Sequence, residues 1–276
     1  MDIQNRPCAG IIDSHAHYFD KRFEGEYEGG ADRLLREVVF PSGIEAIINV
    51  GTDPENSRRC VEQAVKYERM YAAVGIHPQD CQGLACDVKT EVAKIRTLLD
   101  TEEKRKKNKI VAVGEIGFDY YWQPVDKELQ KAYFEAQLDL AEEFGLPVII
   151  HDREAHGDSF DMILKHPNVK GVFHCYSGSA EMARELTKRG WYIAFGGVIT
   201  YKNARKVREA AAAADREMLL AETDCPYLSP EPKRGRLNSS ANMCYTLATL
   251  ADAIGMSVEE TVALTNANTR RLFGLK

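Results

Sequence analysis

Ile11-Ile12-Asp13-Ser14-His15-Ala16-His17 is an apolar run that ends in two histidines one residue apart. Side chains at i and i+2 of a strand leave the same face, so both imidazoles can reach one metal ion. The arrangement recurs along the chain. Val111-Ala112-Val113-Gly114 leads into Glu115, and Pro147-Val148-Ile149-Ile150 into His151. Gly171-Val172-Phe173 leads into His174, and Met218-Leu219-Leu220-Ala221 into Glu222-Thr223-Asp224. Short apolar runs that finish on potential ligands put the chemistry at the ends of strands.

Apolar or alternating runs closed by turn signals predict eight strands, near 11–17, 44–51, 71–77, 110–117, 147–152, 169–175, 191–198 and 217–224. Helical spacing lies between them. It is clearest from Lys127 to Phe144, where Leu129, Tyr133, Leu140 and Phe144 recur at helical intervals before Gly145 and Pro147 stop the helix. Ser257-x-x-Glu260 reads as a capping box opening a last helix that ends at Gly274. Strands alternating with helices at this length predict an α/β fold, a (β/α)8 TIM barrel, with residues 1–276 as one domain. In a barrel the C-terminal strand ends share one mouth, so His15, His17, Glu115, His151, His174 and Asp224 become neighbours. An open doubly wound sheet would spread them along a crevice. Two segments, Glu24 to Gly30 and Gln79 to Thr90, are expected as loops on the mouth side, the first as a lid. Glu102 to Lys109 reads as a solvated helix end and turn on the opposite face.

The 276 residues are 44% hydrophobic and 28% charged, the composition of a soluble globular protein. Neither a leader pattern nor a stretch of membrane-span length is visible, so a cytoplasmic protein is expected, with the nucleus also open. Seven cysteines with no Cys-x-x-Cys pair suggest free thiols in a reducing compartment. Cys81 and Cys86 read as exposed or half-packed, and Cys175 and Cys225 as turned into the core. A net charge of −6 argues against coating nucleic acid by bulk electrostatics. It leaves a phosphate substrate open, because bound cations reverse the field of the carboxylates that hold them.

Four histidines and two carboxylates are too many for one closed zinc site and suit two adjacent divalent ions, with Mg, Mn and Zn all compatible with the ligand types. Two-metal hydrolases use such ions to polarise the substrate oxygen, acidify a water and stabilise the leaving oxygen. Six motifs then resemble one family in order. They are Asp13-Ser14-His15-Ala16-His17, Gly75-Ile76-His77-Pro78, Gly114-Glu115-Ile116-Gly117-Phe118-Asp119-Tyr120-Tyr121, His151-Asp152-Arg153-Glu154-Ala155, Phe173-His174-Cys175-Tyr176-Ser177-Gly178 and Glu222-Thr223-Asp224-Cys225-Pro226-Tyr227-Leu228. Nearly the whole chain, as far as Asn268-Thr269-Arg270-Arg271-Leu272-Phe273, resembles the TatD family of metal-dependent deoxyribonucleases, which belongs with the amidohydrolase-like barrels.

The resemblance implies a two-metal barrel that cleaves phosphodiesters, in several members as a 3′-to-5′ exonuclease on single-stranded DNA or RNA. It assigns His15, His17, Glu115 and Asp224 to one ion and Glu115, His151 and His174 to the other. Asp224 would also orient the attacking water and take its proton, and His77 would contact the scissile phosphate. Two departures from the family pattern, Gln79 where a histidine is common and Leu237-Asn238-Ser239-Ser240 where Asn-Glu-Pro is common, fall in segments expected to touch substrate.

Several side chains stay open between two roles. Arg153 suits either a phosphate or a buried carboxylate such as Glu222. Lys233-Arg234-Gly235-Arg236 is a short charge run beside the mouth, which places Arg234 and Arg236 as candidate substrate contacts. Tyr120, Tyr121 and Trp122 suit either stacking on an unpaired base or packing of their loop. His156 and His166 are expected at the surface or as helix caps. A competing reading is an amidohydrolase that opens a small amide, ester or lactone. Many such barrels bridge their metals with a carboxylated lysine at strand four, where this chain has Glu115. A catalytically dead binding module would predict damaged ligands, and all six are present. The expected partner is a single-stranded DNA substrate, with no membrane, and the expected state is a monomer.

Overall fold

In the computed structural model, which describes residues 10–84 and 87–276, the strands lie close to their expected places. They are β1 (Ile11–Ala16), β2 (Ile44–Val50), β3 (Met70–Val74), β4 (Ile110–Asp119), β5 (Val148–Arg153), β6 (Gly171–Phe173), β7 (Tyr192–Phe195) and β8 (Leu219–Ala221). Cys86 lies outside the described residues. The strands are hydrogen-bonded neighbours in sequence order, from β1 through β8. The pairs β3–β4, β4–β5, β5–β6 and β7–β8 are parallel. Ala16 at the end of β1 bridges in parallel to Cys225 just past β8, which brings the order back to its start. Sequential parallel strands with helices between them are the expected (β/α)8 barrel.

The helices are α1 (Arg22–Glu26), α2 (Gly30–Leu34), α3 (Pro54–Lys66), α4 (Val88–Leu99), α5 (Glu102–Lys107), α6 (Lys127–Phe144), α7 (His156–Lys165), α8 (Ala180–Lys188), α9 (Arg205–Ala213), α10 (Met243–Ile254) and α11 (Val258–Phe273). The Glu24 to Gly30 segment is therefore not a free loop: α1 occupies much of it, with Arg22 paired to Glu26 one turn on, and α2 starts at Gly30. Glu102 to Lys109 is an exposed helix end and turn, as expected. Among the described residues no helix is long and apolar enough to cross a membrane.

The chain divides into two compact units, Asn49–His174 and the remainder. In the Asn49–His174 unit, α6 shows how the sequence dictates its own ends. Asp126 accepts from the Leu129 N–H at the N-terminus, and Gly145, in the left-handed region at φ +62°, closes the C-terminus. Its buried face carries Tyr133, Phe134, Leu138, Leu140 and Ala141, and Phe134 meets Phe118 of β4 edge to face at 5.1 Å. Burial of each large apolar side chain contributes roughly 1.5–3 kcal/mol.

Two glutamines interrupt that apolar face. Gln130 accepts from the Asp119 N–H and donates to the Asp119 carbonyl, and Gln137 does the same for Ile76. Each side-chain amide thus completes backbone groups at a strand end that the strand ladder leaves over.

In the other unit, α11 opens with the expected capping box, Ser257 and Glu260 each bonding the other's backbone N–H, and ends at Gly274. Asn268 of α11 donates to the carbonyls of Leu219 and Arg216 at the start of β8, and Asn266 accepts from the Ile12 N–H of β1.

Candidate metal centre

The Asn49–His174 unit gathers His77, Glu115, His151 and His174. Glu115 sits on a register break: Gly114 pairs with Ile149, but Ile116 pairs with Ile150. A bulged residue is re-aimed relative to the regular pleat, which is how a buried carboxylate is turned toward ligands on neighbouring strands. The close approach there needs glycine. A Cβ on Gly75 would lie 2.7 Å from the Gly114 carbonyl carbon, and one on Gly114 would lie 2.7 Å from Ile149 Cβ. Glu115 Oε1 stands 2.8 Å from His151 Nδ1, 2.7 Å from His174 Nε2 and 3.5 Å from His77 Nε2.

Hydrogen bonds on the far side of the His151 and His77 rings fix which nitrogen does what. His151 Nε2 is 2.9 Å from Asp119 Oδ2, so that nitrogen donates and Nδ1 turns its lone pair toward Glu115 and His174. Burial alone would lower the His151 pKa, but the Asp119 and Glu115 carboxylates outweigh it and raise it. Asp119 is affected in the opposite sense. Burial pushes its carboxyl up, yet His151 and the N–H groups of Trp122 and Tyr121 win and hold it below the ordinary carboxylate range. His77 differs from His151: its Nδ1 accepts from the Gln79 N–H at 3.1 Å, which leaves the proton on Nε2 in the neutral ring. His77 is therefore arranged as a hydrogen-bond donor, whereas His151 is arranged as a ligand.

The other unit holds His15, His17 and Asp224. The two Nε2 atoms are 3.0 Å apart, and Asp224 Oδ1 lies 3.7 Å from the first and 3.3 Å from the second. Asp224 has φ +56°, a strained backbone held by its N–H to the His15 carbonyl at 2.9 Å.

Behind these ligands lies a buried carboxyl, Asp13. Its Oδ1 accepts from the N–H groups of His15 and Thr223, and its Oδ2 from the hydroxyls of Thr223 and Ser240, both at 2.6 Å. Burial pushes its pKa up to about 7, against the opposing pull of those hydrogen bonds. Ser240 also pairs with the Tyr18 hydroxyl, and Asn238 donates to the carbonyls of Thr223 and Tyr227. The Leu237 to Ser240 departure thus builds the buried support of Asp13 and Thr223, contrary to the expectation that it touches substrate. Glu222 accepts from the Cys175 N–H at 2.6 Å and so fixes the residue that follows His174.

The expected substrate contacts sort out individually. Arg153 lies over the Tyr121 ring at 4.0 Å and the Trp122 ring at 5.5 Å. Tyr120 is spoken for by Asp158, to which its hydroxyl donates, and by Lys127, whose ammonium sits 3.8 Å over its ring. Arg234 is exposed and stacks on Tyr201 at 4.2 Å, while Arg236 is exposed on the same turn. His156 opens α7 and pairs with Asp152 at 2.7 Å. His166 ends α7 but is buried rather than at the surface, facing Asp139 and Glu142. Cys81 is also buried, its thiol donating to the Pro78 carbonyl. Cys225 is in the core as expected, but Cys175 is half-buried at φ +44°, because β6 stops at Phe173 and strand alternation no longer governs it. Sequence reasoning missed Asp119, Asp13, Gln130 and Gln137. The two glutamines left a signal, polar residues seven apart on an otherwise apolar helix face.

The donor sets fit divalent metal. Ligand bonds near 2.1 Å put neighbouring donors roughly 3.0 Å apart in octahedral geometry and about 3.4 Å apart in tetrahedral. His15, His17 and Asp224 are separated by 3.0 to 3.7 Å, and Glu115, His151 and His174 by 2.7 to 3.2 Å.

Residues 12–274 match the family model described as TatD related DNase. The uncharacterized metal-dependent hydrolase YabD of Bacillus subtilis is 39% identical over 267 residues, covering 95% of this chain and 98% of its own. The uncharacterized metal-dependent hydrolase TatD of Mycobacterium tuberculosis is 32% identical over 272 residues, covering 96% and 98%. The crystal structure of YjjV, a TatD homolog from Escherichia coli, aligns with a TM-score of 0.86 at 30% identity, over 96% of this chain and 98% of that one. With a fold, a donor set and a full-length match that agree, the chain belongs to the TatD-related DNase family and is a metal-dependent hydrolase.

Proposed function

We propose that the chain is a divalent-metal-dependent phosphodiesterase that works as a 3′-to-5′ exodeoxyribonuclease on single-stranded DNA. His15, His17, Glu115, His151, His174 and Asp224 would hold two ions, of Mg, Mn or Zn. The observation that carries the reading is the tautomer of His77. With Nδ1 occupied by the Gln79 N–H, Nε2 presents a donor beside Glu115, a group that recognises an anionic oxygen rather than a metal. Divalent ions, when bound, supply Lewis acidity to a phosphoryl oxygen and to water.

The protein's own groups supply the rest. His77 Nε2–H donates to a nonbridging phosphate oxygen and offsets the charge that gathers there in the transition state. Asp224, held by its backbone N–H to the His15 carbonyl, accepts the proton of the attacking water. One P–O bond forms to that water and one breaks to the leaving nucleoside oxygen, which takes up a proton from solvent to leave as the hydroxyl. Asp119 keeps His151 in its ligand tautomer throughout.

The test is purified protein of known metal content, supplied with Mg, Mn, Co or Zn, on single- and double-stranded DNA labelled at either end. Stepwise release from the 3′ end of the single strand is expected. Protein that binds metal yet releases no nucleotide would overturn the proposal, and turnover confined to carbon-centred esters or amides would replace it with the amidohydrolase alternative.

A further inference from the structure

We infer that Tyr121, Trp122 and Arg153 form a stacking subsite for an unpaired nucleobase, set beside the ligand His151. The inference takes its substrate class from the phosphodiesterase reading. Three independent features of the Asn49–His174 unit carry it.

Large aromatic surface is left out of the core at this loop: Tyr121 is 48% exposed and Trp122 56%. Contiguous exposed apolar surface is a mark of an interaction site, whereas single scattered residues are not. The neighbouring Tyr120, whose hydroxyl and ring already have partners, is the one that anchors the loop.

The exposed pair is nevertheless ordered. Asp119 Oδ1 accepts from the N–H groups of both Tyr121 and Trp122, at 3.0 and 3.3 Å. The rings meet edge to face at 5.0 Å, with the Arg153 guanidinium laid over Tyr121. Rings fixed in advance lose little freedom when a planar ligand arrives.

The platform is also tied to the metal ligand. The same carboxylate that caps the loop binds His151 through its other oxygen. Arg153 follows His151 by two residues on β5, so the two side chains share a face about 7 Å apart.

Aromatic rings plus a guanidinium recognise a nucleobase by its π-face and its flanking phosphate by charge, without reading sequence. A base inside a duplex is stacked on both sides and has no free face to offer. The subsite therefore selects unpaired ends.

The chain has two tryptophans, and Trp191 is 3% exposed, so Trp122 is the accessible fluorophore once Trp191→Phe removes the other. The experiment uses the full chain in EDTA, so binding is read without turnover. An oligothymidylate of about eight nucleotides, within the range one single-strand site covers, should quench Trp122, and an abasic oligomer of equal length should not. By fluorescence anisotropy, Tyr121→Ala and Trp122→Ala should each weaken oligothymidylate binding about ten- to a hundredfold, with Trp122→Phe restoring most of the loss. Affinity for the abasic oligomer should be unaltered by any of the three, and unchanged circular dichroism confirms that they are folded. Equal losses for both oligomers, or none for either, would overturn the subsite. So would a change of oligomeric state in Trp122→Ala without a change in oligonucleotide affinity, which would mark the patch as a protein interface. Digestion of end-labelled DNA by the wild-type protein reports on the phosphodiesterase reading separately, so either idea can fail alone.

Discussion

Replacing Asp119 by asparagine should weaken metal binding about 10- to 100-fold without disturbing the fold. Asparagine keeps one acceptor, and the Tyr121 and Trp122 N–H groups at 3.0 and 3.3 Å will claim it. The NH2 group then faces His151 Nε2, where the carboxylate oxygen stood at 2.9 Å. Two donors cannot share that contact, so the imidazole must move its proton to Nδ1. That atom faces Glu115 at 2.8 Å and His174 at 3.2 Å, which is where a metal needs a lone pair. A hydrogen bond to a charged group is worth about 1.5–3 kcal/mol, close to the ~1.4–2.8 kcal/mol that a 10- to 100-fold change represents. Titration calorimetry with Mn or Zn on apo protein would give the shift. The hydrolysis rate, measured against metal concentration, should show a raised midpoint and near-complete recovery at saturation. A variant that binds metal as tightly as wild type would refute the assignment of Asp119 as the group that sets the His151 tautomer. Unfolding instead of weakened binding would do the same.

Glu115→Gln should reduce hydrolysis by more than about a hundredfold at any metal concentration, since it removes a ligand rather than a ligand's support; activity regained with excess metal would contradict this. The proton on His151 must leave before metal binds, and its pKa is raised, so metal affinity should fall as pH drops, beginning above the ordinary imidazole value of about 6.5 and by up to about tenfold per pH unit. Calorimetry between about pH 8 and 5.5, a span that brackets the ordinary imidazole value, would show a flat affinity if the idea is wrong. Asp13 has its folded pKa raised to about 7, so the stability its neutral form contributes is complete below the ordinary value near 3.8 and is lost as pH climbs through 7. Metal-free wild type should therefore lose stability relative to Asp13→Asn over that window, on the order of 4 kcal/mol at full shift, and parallel Tm-against-pH curves for the two would refute it. Gln137→Leu leaves the Ile76 N–H and carbonyl at the end of β3 without their partner and should cost about 1–3 kcal/mol for each buried group left unpaired, an effect that thermal unfolding would detect and that an unchanged Tm would exclude.

The ligands were legible because their signal is local. A histidine or carboxylate at the end of a short apolar run needs no knowledge of the rest of the chain, and strand period alone places its side chain. What sits behind them was illegible for the opposite reason. Asp119 and His151 are 32 residues apart, and Asp13 and Ser240 are 227 apart, so nothing near either aspartate names its partner. The Glu24 to Gly30 segment was misread through its glycines. Gly29 at φ +83° does serve as a turn, preceding α2, but Gly25 lies within α1 with open space around its missing side chain. Glycine permits a loop without requiring one.

The residues that carry the chemistry lie at or just beyond the ends of β3, β4 and β8, and this placement explains the buried amides. A strand that leaves the ladder early, so that its last residues can turn toward a site, strands backbone N–H and C=O groups in a dry interior. This chain answers with long-range side chains that imitate a neighbouring strand. Gln137 offers an acceptor and a donor to Ile76 just before His77, Gln130 does so for Asp119, and Asn238 satisfies the Thr223 carbonyl just before Asp224. In each case the amide is fastened to the residue beside, or to the very residue, that the proposed chemistry needs held still. The same contacts that complete the sheet's hydrogen bonding therefore fix the positions of the donor His77, the orienting Asp119 and the base Asp224, and stability and geometry at these strand ends are one requirement met by one set of side chains.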